Sequence, residues 1–123
     1  MIKHMGGCAC GAIRFEARGD PLRVGLCHCL DCRKRTGAPY FATVFYHVGQ
    51  VSISGERRTD GGWSFCPKCG STVHAQTDTD IELALGCFDE PRRFEPGYEL
   101  WTIRREPWLA PVAGAKQYER DRD

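Results

Sequence analysis

The sequence predicts a mainly β, single-domain fold of small antiparallel sheets joined by cysteine knuckles. Three observations predict it: short stretches in which apolar and polar residues alternate, regular punctuation by Gly, Pro and Asp, and eight cysteines in only 123 residues. A chain of this length builds one compact domain. Residues 1–110 are read as that domain. The tail, 111–123, is expected to fray, because it mixes Pro and Gly without a period and ends almost wholly charged.

Residues 12–18 alternate, with Ile13, Phe15 and Ala17 on one side and Arg14, Glu16 and Arg18 on the other, the pattern of a half-buried strand. Gly19, Asp20 and Pro21 end it. Residues 40–48 are rich in aromatic and β-branched side chains, and 51–54 repeat that pattern after Gly49, so the two are expected to pair as a hairpin. Residues 55–62 read as a polar loop. Further strands are expected at 71–77, 81–88 and 98–105, separated by Asp78, Asp80, Pro91, Pro96 and Gly97. One short helix is expected at 28–36, two turns at most, with Gly37 placed for a left-handed cap.

Lys and Arg number 17 against 16 Asp and Glu, which leaves no overall field to attract nucleic acid or an anionic membrane. No apolar run approaches the roughly 20 residues of a membrane span, and the N-terminus lacks a secretory pattern. The expected setting is therefore the cytoplasm, where cysteines are kept for metal ligation or redox chemistry rather than disulfides.

Seven of the eight cysteines fall into three groups: Cys8 with Cys10; Cys27, Cys29 and Cys32; and Cys66 with Cys69. In Cys66-Pro67-Lys68-Cys69-Gly70 the proline sets a turn, the thiols flank it, and the glycine lets backbone amides approach sulfur, which is the strongest local metal signal in the chain. A structural zinc site needs four ligands, so this knuckle requires a second pair. Residues two apart in extended chain project to one side, so Cys8 and Cys10, or Cys27 and Cys29, can each share a metal. If Cys8, Cys10, Cys66 and Cys69 close a structural site, then Cys27, Cys29 and Cys32 remain as three ligands with a vacant fourth position, the pattern of catalytic zinc.

Other readings stand beside that one. His28 could complete a purely structural Cys3His site, all seven thiols being scaffold, and the domain would then be a zinc-stabilised module for protein or nucleic-acid interaction. Disulfides and a rubredoxin-like iron site fit less well, the first for lack of a secretory context, the second because only one knuckle of the Cys66 kind is present. Cys87 lies in an apolar stretch and reads as a buried inert thiol.

The residues resemble the glutathione-dependent formaldehyde-activating enzyme family, the centromere protein V type, whose fold is similar to the Mss4-like β proteins. The resemblance spans residues 6–108. It is carried by Gly-Gly-Cys-Ala-Cys-Gly-Ala at 6–12, Cys27-His28-Cys29 with Cys32, Thr36-Gly37-Ala38, Phe65 with Cys66 to Gly70, and Gly86 through Asp89-Glu90-Pro91. It implies two zinc ions, with Cys8, Cys10, Cys66 and Cys69 as structural ligands and Cys27, Cys29 and Cys32 as catalytic ones. It also implies carbon–sulfur lyase chemistry on a thiol adduct of a small aldehyde, with glutathione as a candidate partner. Glu99 stands where many members carry histidine, and Cys87 where Ser or Thr is commoner. Both departures bear on the substrate. Arg33, Lys34 and Arg35 follow Cys32, and Arg33 and Arg35 are expected to bind a substrate carboxylate. The sequence sets no oligomeric state.

Overall fold

The computed structural model describes residues 1–122. In chain order these form β1 (Lys3–Gly7), β2 (Arg14–Arg18), β3 (Arg23–Cys27), α1 (Leu30–Thr36), β4 (Phe41–His47), β5 (Val51–Ser54), β6 (Arg58–Asp60), β7 (Trp63–Phe65), β8 (Thr72–Gln76), β9 (Asp80–Ala84), β10 (Tyr98–Leu100) and β11 (Lys116–Gln117). The fold is mainly β, as alternation and punctuation predict. β1, β2 and β5 make a three-stranded sheet, and the other strands make a larger one in the order β11-β10-β3-β4-β9-β8-β7-β6. Pairing is antiparallel except that β10 runs parallel to both β3 and β11.

Alternation in β2 does what it predicts. Ile13, Phe15 and Ala17 are fully buried and meet Val24, Val44, Tyr46, Val73, Ile81 and Leu83 of the larger sheet. A buried side chain of the Phe15 class contributes roughly 1.5–3 kcal/mol through apolar area alone. Cys8 and Cys66 belong to this same core. The opposite face of the larger sheet carries a smaller cluster, Phe41, Trp63 and Ala84, against which Cys32 and Cys87 pack. The core therefore backs one cysteine group, and the second group lies over the other face.

Two glycines set these contacts. A Cβ on Gly6 would meet the Phe15 ring and the Cys87 carbonyl, each 2.4 Å away. One on Gly25 would lie 2.2 Å from the Tyr98 ring, so only glycine lets β10 seat its tyrosine on β3.

Four expectations need correction. Residues 40–48 and 51–54 do not pair as a hairpin: β4 is bonded on both edges, to β3 and β9, and has no edge left for β5. Instead Gln50 donates to the Arg18 and Asp20 carbonyls and sends β5 onto β2. Residues 55–62 are not all loop, because β6 pairs with β7 across a two-residue Gly61-Gly62 turn in which both φ angles are positive. The strands expected to run through 88 and 105 stop earlier, at Ala84 and Leu100, and short 3-10 turns follow each. Finally, the tail is not left unpaired in the structure. β11 pairs with β10, and the Trp101 and Thr102 amides donate to Arg120 and Tyr118 carbonyls, so backbone bonding holds a segment whose composition is polar.

Candidate metal centres

The fold assembles two groups of cysteine sulfurs, each close enough together to hold a metal ion: Cys8, Cys10, Cys66 and Cys69 in one, Cys27, Cys29 and Cys32 in the other. In the first, the Cys8 and Cys10 sulfurs lie 3.6 Å apart, and those of Cys10 and Cys66 3.7 Å apart. Backbone amides face the sulfurs, with Ile13 donating to Cys8 at 3.1 Å and Lys68 to Cys66 at 3.4 Å. Such donors favour thiolate over thiol. Gly70, with φ of +81°, closes the knuckle by donating to the Cys66 carbonyl at 2.8 Å. The Ala9 amide reaches the Ser71 hydroxyl at 2.9 Å and fastens the two halves together. Without a metal the protons are unevenly shared: hydrogen bonds from Ser71 draw the Cys69 thiol down to about 5, whereas Cys10 is held up at about 11.

The second group comes from six successive residues. β3 ends at Cys27. Cys29 caps α1, its sulfur accepting from the Cys32 amide at 3.3 Å, and Cys32 lies in the helix's first turn. Gly37, with φ of +71°, stops the helix after two turns. All three sulfurs are half-buried. A hydrogen bond from Cys32 lowers Cys27 to about 6, while the same bond and burial push Cys32 far upward. One thiol thus ionises readily and its neighbours hold their protons.

His28 lies between two of these cysteines and points elsewhere. Its ring is outside the sulfur group. It is 1% exposed and meets the Glu99 carboxylate at 2.8 Å, so it does not supply the fourth ligand that a Cys3His site requires. Arg33 and Arg35 are both engaged: Arg33 with Glu106 at 2.7 Å and with the Arg104 carbonyl, Arg35 with Asp31 and Asp60. A substrate carboxylate would compete with those partners. Cys87 is half-buried, its sulfur 3.5 Å from the Thr72 carbonyl, and burial raises its thiol to about 11, which keeps it protonated at neutral pH.

A cleft of about 380 Å³ runs from Arg35 and Thr36 at the end of α1, past Tyr40 and Cys87, to Gly70 and Ser71 beside Cys69. Sequence spacing carried no sign of it, since its walls come from three separate segments, 35–42, 70–72 and 84–87. Nor did spacing reveal the Glu99 contact with His28, which joins positions 71 residues apart.

Residues 3–104 match the family described as glutathione-dependent formaldehyde-activating enzyme. The chain belongs to this family. A crystal structure of a Rhodobacter sphaeroides protein is similar to it in fold, with 21% identity and a TM-score of 0.55 over 72% of this chain and 92% of that one. Within this glutathione-dependent formaldehyde-activating enzyme family member, both sulfur groups and Glu99 fall inside the matched stretch, whereas β11 lies beyond it. No helix among the described residues is long and apolar enough to cross a membrane.

Proposed function

We propose that this chain is a zinc-dependent, lyase-like enzyme that makes and breaks the carbon–sulfur bond between a small thiol and a small aldehyde, of the S-hydroxymethylglutathione type. The observation that carries the reading is the inequality of the two sulfur groups. Four sulfurs complete a tetrahedral metal, and three leave one position for a ligand from outside. Sulfur separations of 3.6 and 3.7 Å in the first group approach the about 3.8 Å edge of a tetrahedron built on metal–sulfur distances of about 2.3 Å, which fits a tetrahedral thiolate-bound ion such as zinc. Bound at the three-cysteine group, zinc would hold a substrate sulfur as thiolate at neutral pH.

The chain's own residues have separable roles. Cys27, Cys29 and Cys32 hold the ion. Cys8, Cys10, Cys66 and Cys69 hold the scaffold ion. Arg33 and Arg35, on the helix that carries Cys32, exchange their present carboxylate partners for the carboxylates of an acidic thiol such as glutathione. When the adduct breaks, its hydroxyl releases a proton, the carbonyl forms, and sulfur departs with the bonding pair. The reverse reaction joins thiolate to aldehyde carbon and returns the proton to oxygen. A cytoplasmic setting, rich in reduced thiols, fits eight unbridged cysteines.

The test is zinc content per chain, together with the exchange rate between 13C-formaldehyde and its glutathione adduct followed by NMR. Two zincs and exchange accelerated above the buffer rate support the reading, provided Cys29→Ser loses one zinc and the acceleration. Two zincs without acceleration across a panel of thiols and aldehydes would leave a zinc-stabilised interaction module.

A further inference from the structure

Glu99 is a carboxylate with 1% exposure whose hydrogen bonds lead in two directions. One oxygen meets His28 Nε2 at 2.8 Å, with Arg105 Nη2 3.5 Å away. The other accepts from the Val112 amide at 2.7 Å and from Gln117 Nε2 at 2.9 Å. Its backbone carbonyl accepts the Tyr118 amide at 2.9 Å. On the far side, His28 is equally buried, and its own amide donates to the Leu100 carbonyl at 3.0 Å. One carboxylate therefore spans the residue between two cysteines of the open group and the returning segment 112–118.

We propose that Glu99 is a positioning residue for the three-cysteine group, and that segment 112–118 is a strap whose docking through Glu99 is coupled to metal binding by Cys27, Cys29 and Cys32. The inference rests on the metal reading of that group given above. Cys27, His28 and Cys29 turn two sulfurs one way and the imidazole the other, so the orientation of the ring and that of the sulfurs are set by the same backbone angles. The Glu99 carboxylate anchors the ring. Burial alone would raise its pKa, but donors from Val112, Gln117 and His28, with the Arg105 charge, hold it down at about 2, so it remains an acceptor on both sides. If the carboxylate is removed, buried donors lose their partner on the strap and at His28 together. Coupling is reciprocal: whatever factor the docked strap adds to metal affinity, the bound metal adds to strap docking. Val112 and Gln117 lie beyond the family match at residues 3–104, so the strap arm is not part of what that match covers.

The two metal groups of one chain supply the control. Cobalt(II) titration of the metal-free protein, read by thiolate charge-transfer and d–d absorption, gives both affinities, and hydrogen exchange reports the amides of 112–118. Glu99→Ala is expected to weaken the second metal on the order of tenfold while leaving the first unchanged, and to speed exchange along the strap. In the wild type, filling the second group should slow strap exchange. In Cys29→Ser, which lacks that group, added metal should leave it unaltered. Gln117→Leu, which removes one strap donor and keeps the His28–Glu99 contact, should shift the second affinity in the same direction by less. Parallel loss of both affinities, or a second affinity untouched by Glu99→Ala and Gln117→Leu, overturns the coupling while two-metal binding stands. Uptake of a single equivalent by the wild type overturns the metal reading and the coupling with it.

Discussion

The two cysteine groups differ in how the chain reaches them. The four-sulfur group joins segments far apart in sequence, Cys10 and Cys66 being 56 residues from one another, and two of its sulfurs are buried in the main core. The three-sulfur group is made within residues 27–32, is half-buried throughout, and is braced from outside by Glu99 on His28 and by Glu106 on Arg33. The first is a cross-link; the second is a local loop held in shape by its neighbours. A metal in the first should stabilise the whole domain, whereas one in the second should chiefly organise its own surroundings.

The sharpest way to break that contrast is Cys66→Ser. It is expected to cost on the order of 5 kcal/mol, comparable with the whole stability of a domain this size, and circular dichroism should report loss of the β signal. A folded variant with one metal remaining would contradict the cross-link. Next comes His74 in β8, which follows the Cys66 knuckle. It is 3% exposed with neither ring nitrogen bonded, and burial, aided by the Arg57 charge, lowers its pKa to about 4. The unfolded chain takes up this proton near pH 6.5 and the folded chain only near 4. Stability is therefore intact above 6.5 and falls as pH drops through that window, by up to about 3 kcal/mol. Urea melts of wild type and His74→Leu at pH 7 and pH 4.5 should show the smaller acid loss in the variant. Equal losses would remove His74 from the account.

Cys29→Ser should remain folded within about 1 kcal/mol of the parent while binding one metal fewer, as metal analysis and a thermal melt would show. Collapse comparable with Cys66→Ser would make the two groups alike. The smallest effect is expected for Arg33→Ala, which removes a partly exposed ion pair and should cost below about 1 kcal/mol. Its useful readout is the affinity for an acidic thiol: weaker binding by zinc-loaded protein supports a substrate role for Arg33, and unchanged binding leaves Arg33 as a tie between α1 and residues 104–106.

Legibility in the sequence followed the range of the interaction concerned. Spacing grouped the sulfurs because each half-group is formed within a few residues, and alternation located β2 because its buried face repeats every second position. The Gly61-Gly62 turn carried a readable signal, two residues free to adopt positive φ ahead of Trp63, but the polar run around it suggested loop. The pairing of β5 with β2 could not be read locally, since it depends on β4 having both edges filled. The same holds for β11 and for Glu99: a polar tail looks free until the carboxylate that holds it is found, and that carboxylate stands 13 residues before Val112 and 71 after His28.

The 56-residue span within the four-sulfur group also bears on how the chain is made. As it leaves the ribosome, the N-terminal pair emerges long before its partners, and for that interval it can bind a metal only weakly or accept a foreign thiol. Loop closure grows costlier slowly with length, but it must precede any gain from the completed tetrahedron, so assembly is expected to be late and slow. A chelator or an oxidant should therefore harm this protein most during synthesis or refolding, and least once the knuckle has closed.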